Sequence, residues 1–447
     1  MRRFSRYFLL MLSLLVCGVA TAQYSKNWRE MHKVESKETM YGIAKEYGIT
    51  VGELIKANPE MAAPDYKLKK GDYVFIPYPS AQTASSTAAQ PAAQAVSSDA
   101  LRVGVVLPLH NVDGDGRRMA EYYRGLLMAC EDLKKEGMSI AVNAWNVPID
   151  ADIYQTLVKD DMAKCDIIFG PLYSKQVKPL SFFVKDNDIK LVIPFSITGD
   201  DVDSNSNIFQ VYQDPDYFYG KAIDHFAYRF KDYNVVVIDC NDKTSDKGVF
   251  TFGLRKKLED KNISCNVTNL NSSSGMFARA FSAVKPNMVV LNTGRSPELT
   301  TVLEMLDVLT GEHPELKISL FGYTEWLMYV DYNQEKFFKY DTYIPTNFYY
   351  NTHSSKVKAF EARYRSQFKS DMMDYLPRFA LTGYDHGMFF LRGMSKYGKK
   401  FNGADENPDA LQTRMHFVRT RTGGGYRNDG FMFVHYNRDR SISVINF

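Results

Sequence analysis

His32-Lys33-Val34-Glu35, Thr39-Met40-Tyr41-Gly42-Ile43-Ala44-Lys45-Glu46-Tyr47-Gly48, Thr50-Val51-Gly52-Glu53-Leu54-Ile55-Lys56-Ala57-Asn58-Pro59 and Tyr73-Val74-Phe75-Ile76-Pro77 succeed one another between Met31 and Pro79. The first segment alternates like a short strand. The second sets Met40, Ile43, Ala44 and Tyr47 on one face of a helix, with Thr39 as its cap and Gly48 as its end. The third opens on Thr50 with Glu53 three residues later, a capping box. Pro59 disfavours helical geometry at Asn58, so that helix stops there. Lys69-Lys70-Gly71-Asp72 reads as a turn and Tyr73–Ile76 as a second strand. The expected order is β-α-α-β.

This stretch, 31–79, resembles a LysM domain, the small module that binds N-acetylglucosamine-containing glycans. Val34, Thr39, Tyr41, Ile43-Ala44, Tyr47 to Val51, Leu54, Asn58-Pro59, Gly71 and Ile76-Pro77 carry the resemblance. Lys37-Glu38 stands where the family usually has Gly-Asp. The resemblance implies a shallow sugar groove between two loops. Its candidate residues are Lys37, Glu38, Thr39, Met40 and Tyr41 on one side, and Asn58, Pro59, Glu60, Met61 and Ala62 on the other.

Upstream, Arg2, Arg3 and Arg6 precede an apolar run from Tyr7 to Val19 and then Ala20-Thr21-Ala22. That reads as a signal peptide over 1–22. The run is too short to span a bilayer comfortably, and bulky Leu15-Val16 before Cys17 argues against a lipoprotein. The three leader arginines account for the whole net charge of +3, so the mature chain is neutral and nothing points to nucleic acid or an anionic membrane. Cys130, Cys165, Cys240 and Cys265 remain. Cys240 ends one expected strand and Cys265 starts the next. In a parallel sheet that separates them by roughly 15 Å at about 3.3 Å per residue, beyond disulfide reach. The expectation is buried, unpaired cysteines.

Ser80 to Ala100 is Ala, Ser, Gln and Thr with one proline, a composition that buries no core and reads as a flexible linker over 80–100. From Leu101 strands alternate with helices, which implies parallel sheets. The expected strands are 101–108, 140–145, 166–169, 190–194 and 208–211, then 234–239, 263–267, 288–292 and 317–322. The expected helices are 122–135, 153–163 and 175–185, then 217–230, 247–258, 276–283 and 297–309. A hairpin over 431–435 and 441–445 closes the chain.

The motifs in that order are Arg102-Val103-Gly104-Val105-Val106-Leu107-Pro108-Leu109 and Tyr123-Arg124-Gly125-Leu126-Leu127-Met128-Ala129. They continue with Ile167-Ile168-Phe169-Gly170-Pro171-Leu172-Tyr173-Ser174, Ile189 to Ser196, and Gly383-Tyr384-Asp385. Together they resemble the type I periplasmic binding-protein fold of leucine/isoleucine/valine receptors. The fold class expected is α/β: a small βααβ module, then two doubly wound lobes. Lobe 1 takes about 101–211 and 348–397, and lobe 2 about 212–347 and 398–447. In that fold the ligand sits between the lobes, outside the carboxyl ends of the strands. The resemblance places Ser174, Ser196 and Thr198 on one lip, with Arg295 and Glu325 opposite as a cation and an anion for a zwitterion.

Other signals carry less. Asn111 to Gly116 echoes a calcium loop but lacks glutamate at its twelfth position, so a polar loop is expected. Ser366-Gln367-Phe368-Lys369 has no partner motif. Gly423-Gly424-Gly425 has no lysine or helix after it. Tyr217-Phe218-Tyr219 and Phe348-Tyr349-Tyr350 read as packing. No cofactor, metal or enzymatic activity is expected. The reading is an exported periplasmic or cell-envelope protein that binds peptidoglycan through its LysM module and presents the second domain. The alternatives are a receptor for an amino-acid-like solute of a transport system, and a regulator of peptidoglycan synthesis with a protein partner in the envelope. No transmembrane segment is expected in the mature chain.

Overall fold

The computed structural model describes residues 28–35, 38–49, 51–58, 61, 68–77, 100–159, 161–195, 199–404 and 409–447. The signal peptide, nearly all of the linker, and Lys37, Thr50, Pro59, Glu60, Ala62, Ser196 and Thr198 lie outside them. The chain forms two units, one ending at Ala93 and one starting at Gln94.

In the first unit β1 (Trp28–Lys33) pairs antiparallel with β2 (Tyr73–Pro77), with Lys33 opposite Tyr73. Helices Met40–Glu46 and Val51–Ala57 lie between them in sequence. The Thr39 hydroxyl accepts from Gly42 N at 3.0 Å and caps the first helix. Val34, Ile43, Ala44, Leu54, Val74 and Ile76 form the core. Asn58 locks it. Fully buried, its amide donates to the carbonyls of Leu54 (2.8 Å) and Phe75 (2.7 Å) and accepts from Phe75 N at 2.7 Å. The end of the second helix is thereby tied to β2.

In the second unit β3 (Leu101–Leu107), β4 (Ile140–Asn146), β5 (Ile167–Phe169), β6 (Lys190–Ile193) and β7 (Ile208–Gln210) are parallel, in spatial order β4-β3-β5-β6-β7. The second sheet repeats this with β8 (Asn234–Asp239), β9 (Cys265–Asn269), β10 (Asn287–Leu291), β11 (Ile318–Phe321) and β12 (Thr342–Thr346), in order β9-β8-β10-β11-β12. Each order reverses once, between β3 and β5 and between β8 and β10. Those are the switch points at which such sheets open a crevice. Hairpins extend both sheets. β13 (Phe417–Arg419) and β14 (Tyr426–Asn428) join the first beside β7, and β15 (Met432–Tyr436) and β16 (Ile442–Asn446) join the second beside β12.

The structure departs from the sequence reading at several points. Residues 398–428 were expected in lobe 2. β13 and β14 are instead strands of the first sheet, and Phe401, Phe417 and Tyr426 belong to its core, because Phe209 stacks on Tyr426 and Phe401. Only the stretch from Asp429 onward returns to lobe 2. The expected polar loop at Asn111–Gly116 is largely a helix start. Asp113 accepts from Gly116 N at 2.7 Å and caps Gly114–Lys135; Gly114 and Gly116, poor helix formers, hid it. The helix expected over 153–163 is only Tyr154–Leu157. Tight three-residue turns follow it, Lys159 N to Thr156 O and Met162 N to Lys159 O, which carry Met162 into the core without a continuous helix. β12 escaped notice because Pro345 demotes a strand. β11 pairs with β12 only at Phe321–Tyr343, so no β11 acceptor waits for the missing N–H.

The cysteine expectation is testable on this register. Val235 sits opposite Cys265 and Asp239 opposite Asn269, so Cys240 and Cys265 lie at opposite ends of the β8–β9 pair, and all four cysteines are free. Burial pushes the thiols of Cys130, Cys165 and Cys240 up to about 12, whereas Cys265 is half-buried. Maleimide labelling of the native protein without reductant should modify Cys265 first. Denaturation should release all four, and loss of labelling at a pair would contradict the register.

Candidate functional site

Three crossovers join the lobes, after β7, after β12 and between β14 and β15. The first and last are stitched together: Gln213 Nε2 donates to the carbonyls of Asn428 (3.0 Å) and Gly430 (2.8 Å). Asp429 accepts from Lys221 at 2.8 Å and from the Tyr217 hydroxyl, which binds the last crossover to the first helix of lobe 2, Pro215–Arg229. Tyr349 N donates to Gln412 O at 2.8 Å beside the middle crossover.

A cavity of about 510 Å³ opens between the lobes against these crossovers. Lobe 1 supplies Phe195 from the loop after β6, and Phe379, Thr382 and His386 from helix Phe379–Tyr397. Lobe 2 supplies Phe218 and Tyr219 from helix Pro215–Arg229, Lys247 and Phe250 from helix Lys247–Asp260, and Tyr323 and Glu325 from the segment after β11. The lining is mainly aromatic and apolar. Among the described lining residues Lys247 Nζ pairs with Glu325 Oε1 at 2.6 Å. Lys247 also donates to the Tyr219 hydroxyl at 2.6 Å, and its ammonium lies 5.2 Å from the ring centres of both Tyr219 and Tyr323. Burial alone would lower the lysine pKa; the hydrogen bonds it donates to Glu325 and Tyr219 overcome that and raise the pKa. The cation is thus fixed and already neutralised.

The expected cleft residues are dispersed. Glu325 lines the cavity, facing Lys247. Arg295 does not line it. It is half exposed and reaches Asp242 at 3.4 Å and Glu298 at 3.6 Å, while hydrogen bonds from Thr244 and Thr293 hold the Asp242 carboxyl at about 2. Ser174 starts a short 3₁₀ turn ahead of helix Val177–Asp186 and is not in the cavity wall. Sequence reasoning missed Lys247, His386 and Phe379, which carry no motif. It did single out Phe195, Phe218, Tyr219 and Phe348, but took the last three for packing.

In the small unit the described candidate side chains are largely taken up by the module itself. Glu38 accepts from His32 Nε2 at 2.8 Å and Glu35 N at 2.7 Å, and these bonds lower its pKa. Thr39 is a cap, Met40 packs on the core, and Asn58 and Met61 are buried.

The family model of the LysM domain matches residues 32–77. Residues 32–77 are a LysM domain. No curated protein matches the chain in sequence. Among solved structures, a protein from Rhodospirillum rubrum named for a branched-chain amino acid ABC transporter is 15% identical. The match covers 77% of this chain and 100% of that one, with a TM-score of 0.55. A branched-chain amino acid ABC transporter periplasmic ligand-binding protein from Burkholderia xenovorans LB400 is 13% identical, over 77% of this chain and 94% of that one, with a TM-score of 0.46. A branched-chain amino acid transporter substrate-binding protein from Streptococcus pneumoniae, in complex with isoleucine, is 15% identical. It covers 78% of this chain and 100% of that one, with a TM-score of 0.40. The large unit has the type I periplasmic binding-protein fold. At such identity the likeness speaks to fold and not to ligand. Among the described residues no helix is long and apolar enough to cross a membrane.

Proposed function

We propose that the chain is an exported, non-enzymatic envelope protein whose LysM domain holds it on peptidoglycan while its two-lobed domain captures a small molecule between the lobes. The observation that carries the second half is the open cavity of about 510 Å³, walled by residues of both lobes. It lies within the range of small-molecule sites. A scaffold that had given up ligand binding has no need to keep such a space, so the solute-binding reading is preferred to a passive second domain. Support for the anchor is the LysM match over 32–77. The backbone loops around Glu38–Met40 and Asn58, rather than the buried Asn58 and Met61 side chains, are the surfaces proposed to meet the sugar.

The test separates the two halves. The chain from Gln23 onward should co-sediment with insoluble peptidoglycan, and a truncated chain starting at Leu101 should stay in the supernatant. Equal sedimentation of both would remove the LysM domain as the anchor. Ligand capture is read independently, from melting temperature. A ligand at a hundred times its dissociation constant stabilises the folded state by about 2.7 kcal/mol, and that rise should appear with or without the LysM domain.

A further inference from the structure

The two loops proposed to meet the sugar are each held from inside the LysM domain. Asn58 ties the second through its hydrogen bonds to Leu54 and Phe75. The first is held by a side chain outside the candidate contacts, His32 on β1. His32 stands opposite Val74 of β2, so those two side chains share a face of the strand pair. Its ring, 12% exposed, bridges two further elements. Nδ1 lies 3.0 Å from the hydroxyl of Tyr47, the residue that ends the first helix. The two rings meet edge to face, 5.5 Å between centres. Nε2 lies 2.8 Å from Glu38 Oε2. The same oxygen accepts from Glu35 N at 2.7 Å.

The protons can be placed. A carboxylate only accepts, so Nε2 carries a proton toward Glu38. In the neutral ring Nδ1 is then the acceptor, and the Tyr47 hydroxyl donates to it. In the charged ring both nitrogens donate, and the hydroxyl turns to accept. Glu38 is held in either state. The hydrogen bond from His32, then that from Glu35 N, lowers the Glu38 pKa, which keeps the carboxylate charged. Next in the chain, the Thr39 hydroxyl is spent on Gly42 N at 3.0 Å. These side chains serve the module, and what they leave for a sugar at this point is backbone.

We propose that His32 is a positioning residue for glycan binding: by holding the Glu38 carboxylate it fixes the backbone of the first groove loop, and neither side chain touches the sugar. This rests on the LysM domain being a glycan site. It removes Glu38 from the sugar contacts that the resemblance suggests.

The experiment uses the full chain, with chitotetraose as the probe. Dissociation constants are measured by calorimetry, and thermal melting checks that each variant is folded. In His32→Gln the amide nitrogen reaches about as far as Nε2, whereas in His32→Asn the amide reaches only as far as Nδ1. His32→Gln should bind within about threefold of the unaltered protein, and His32→Asn about tenfold more weakly, the scale of one hydrogen bond to a charged group. Glu38→Ala should lose about as much as His32→Asn. The two combined should lose no more than either alone, because both remove one interaction. Folded His32→Asn binding as tightly as the unaltered protein overturns the positioning role. If Glu38→Ala alone loses affinity, the carboxylate meets the sugar itself and the proposal falls as well. If His32→Asn does not fold, NMR of the unaltered protein with labelled histidine decides. The His32 Nε2–H should stay hydrogen-bonded in the sugar complex, and its release there would mean that Glu38 leaves the ring for the ligand. No binding of chitotetraose or insoluble peptidoglycan by the unaltered protein overturns the glycan reading together with the proposal.

Discussion

Gly383→Ala should destabilise the large domain by about 3 kcal/mol or more, and Gly383→Val should leave no cooperative unfolding transition. A Cβ at Gly383 would stand 1.9 Å from the carbonyl oxygen of Tyr122. A Cβ at Gly125, on the facing helix, would stand 1.8 Å from the carbonyl oxygen of Ala380. Helices Gly114–Lys135 and Phe379–Tyr397 therefore meet backbone to backbone, and backbone cannot yield as a flexible side chain does. Forcing them apart also stretches the Tyr384 hydroxyl from Asp132 and His386 from Tyr122, each now at 2.9 Å. The control is Gly220→Ala in helix Pro215–Arg229, where nothing lies within 4 Å of the new Cβ. That change should stabilise by about 0.5–1 kcal/mol, because it removes only unfolded-state freedom. Urea unfolding followed by circular dichroism reads both. Equal midpoints for Gly383→Ala and the unaltered protein would refute the close approach.

That contact also explains what could be read from the sequence. Tyr123-Arg124-Gly125 and Gly383-Tyr384-Asp385 are weak signals more than two hundred residues apart. In the structure they form one interface, with small residues where the helices touch and polar residues at its rim. Strands read well because fully buried parallel strands are short apolar runs: Val235 to Ile238 and Met288 to Leu291 are all buried. Between β11 and the closing hairpin the chain read poorly. Its strand β12 carries a proline, its helix Ser355–Phe368 intersperses Lys356, Lys358, Glu361, Arg363 and Arg365 among its apolar residues, and β13–β14 returns to a sheet begun about three hundred residues earlier. Local pattern contains no record of such a return.

The cleft was legible in position and not in chemistry. The doubly wound order places a crevice at the strand ends, and the cavity is bounded by the segments after β6 and β11. Which side chains occupy it depends on how the helices pack, which their own patterns do not fix. Helix Phe379–Tyr397 buries Phe389 and Phe390 in the core, and nothing in its periodicity marks His386 as the residue turned to the cavity. Lys247 stands at the start of an expected helix, and nothing in the local pattern marks it as buried. Its burial against two tyrosine rings requires helices Pro215–Arg229 and Lys247–Asp260 to be packed first.

Asp385→Leu should cost about 4 kcal/mol, the largest effect expected of a polar residue here. Asp385 is fully buried, and its carboxylate accepts three backbone N–H groups. Leu411 N donates at 2.7 Å, Gln412 N at 2.9 Å and Thr413 N at 2.8 Å. Burial pushes the carboxyl up to about 7 against the pull of those donors. Leucine fills similar volume but orphans all three N–H groups, each worth about 1–3 kcal/mol when buried and unpaired. Asparagine keeps one carbonyl oxygen and turns an NH₂ toward a donor, so Asp385→Asn should fall between leucine and the unaltered protein. The damage should also reach the cleft. The 411–413 segment supplies Thr413 to the cavity wall, and the Gln412 side chain accepts from Arg378 N at 2.9 Å. An Asp385→Leu protein with an unchanged unfolding midpoint would mean that 411–413 finds other acceptors and that Asp385 does not organise this side of the cleft.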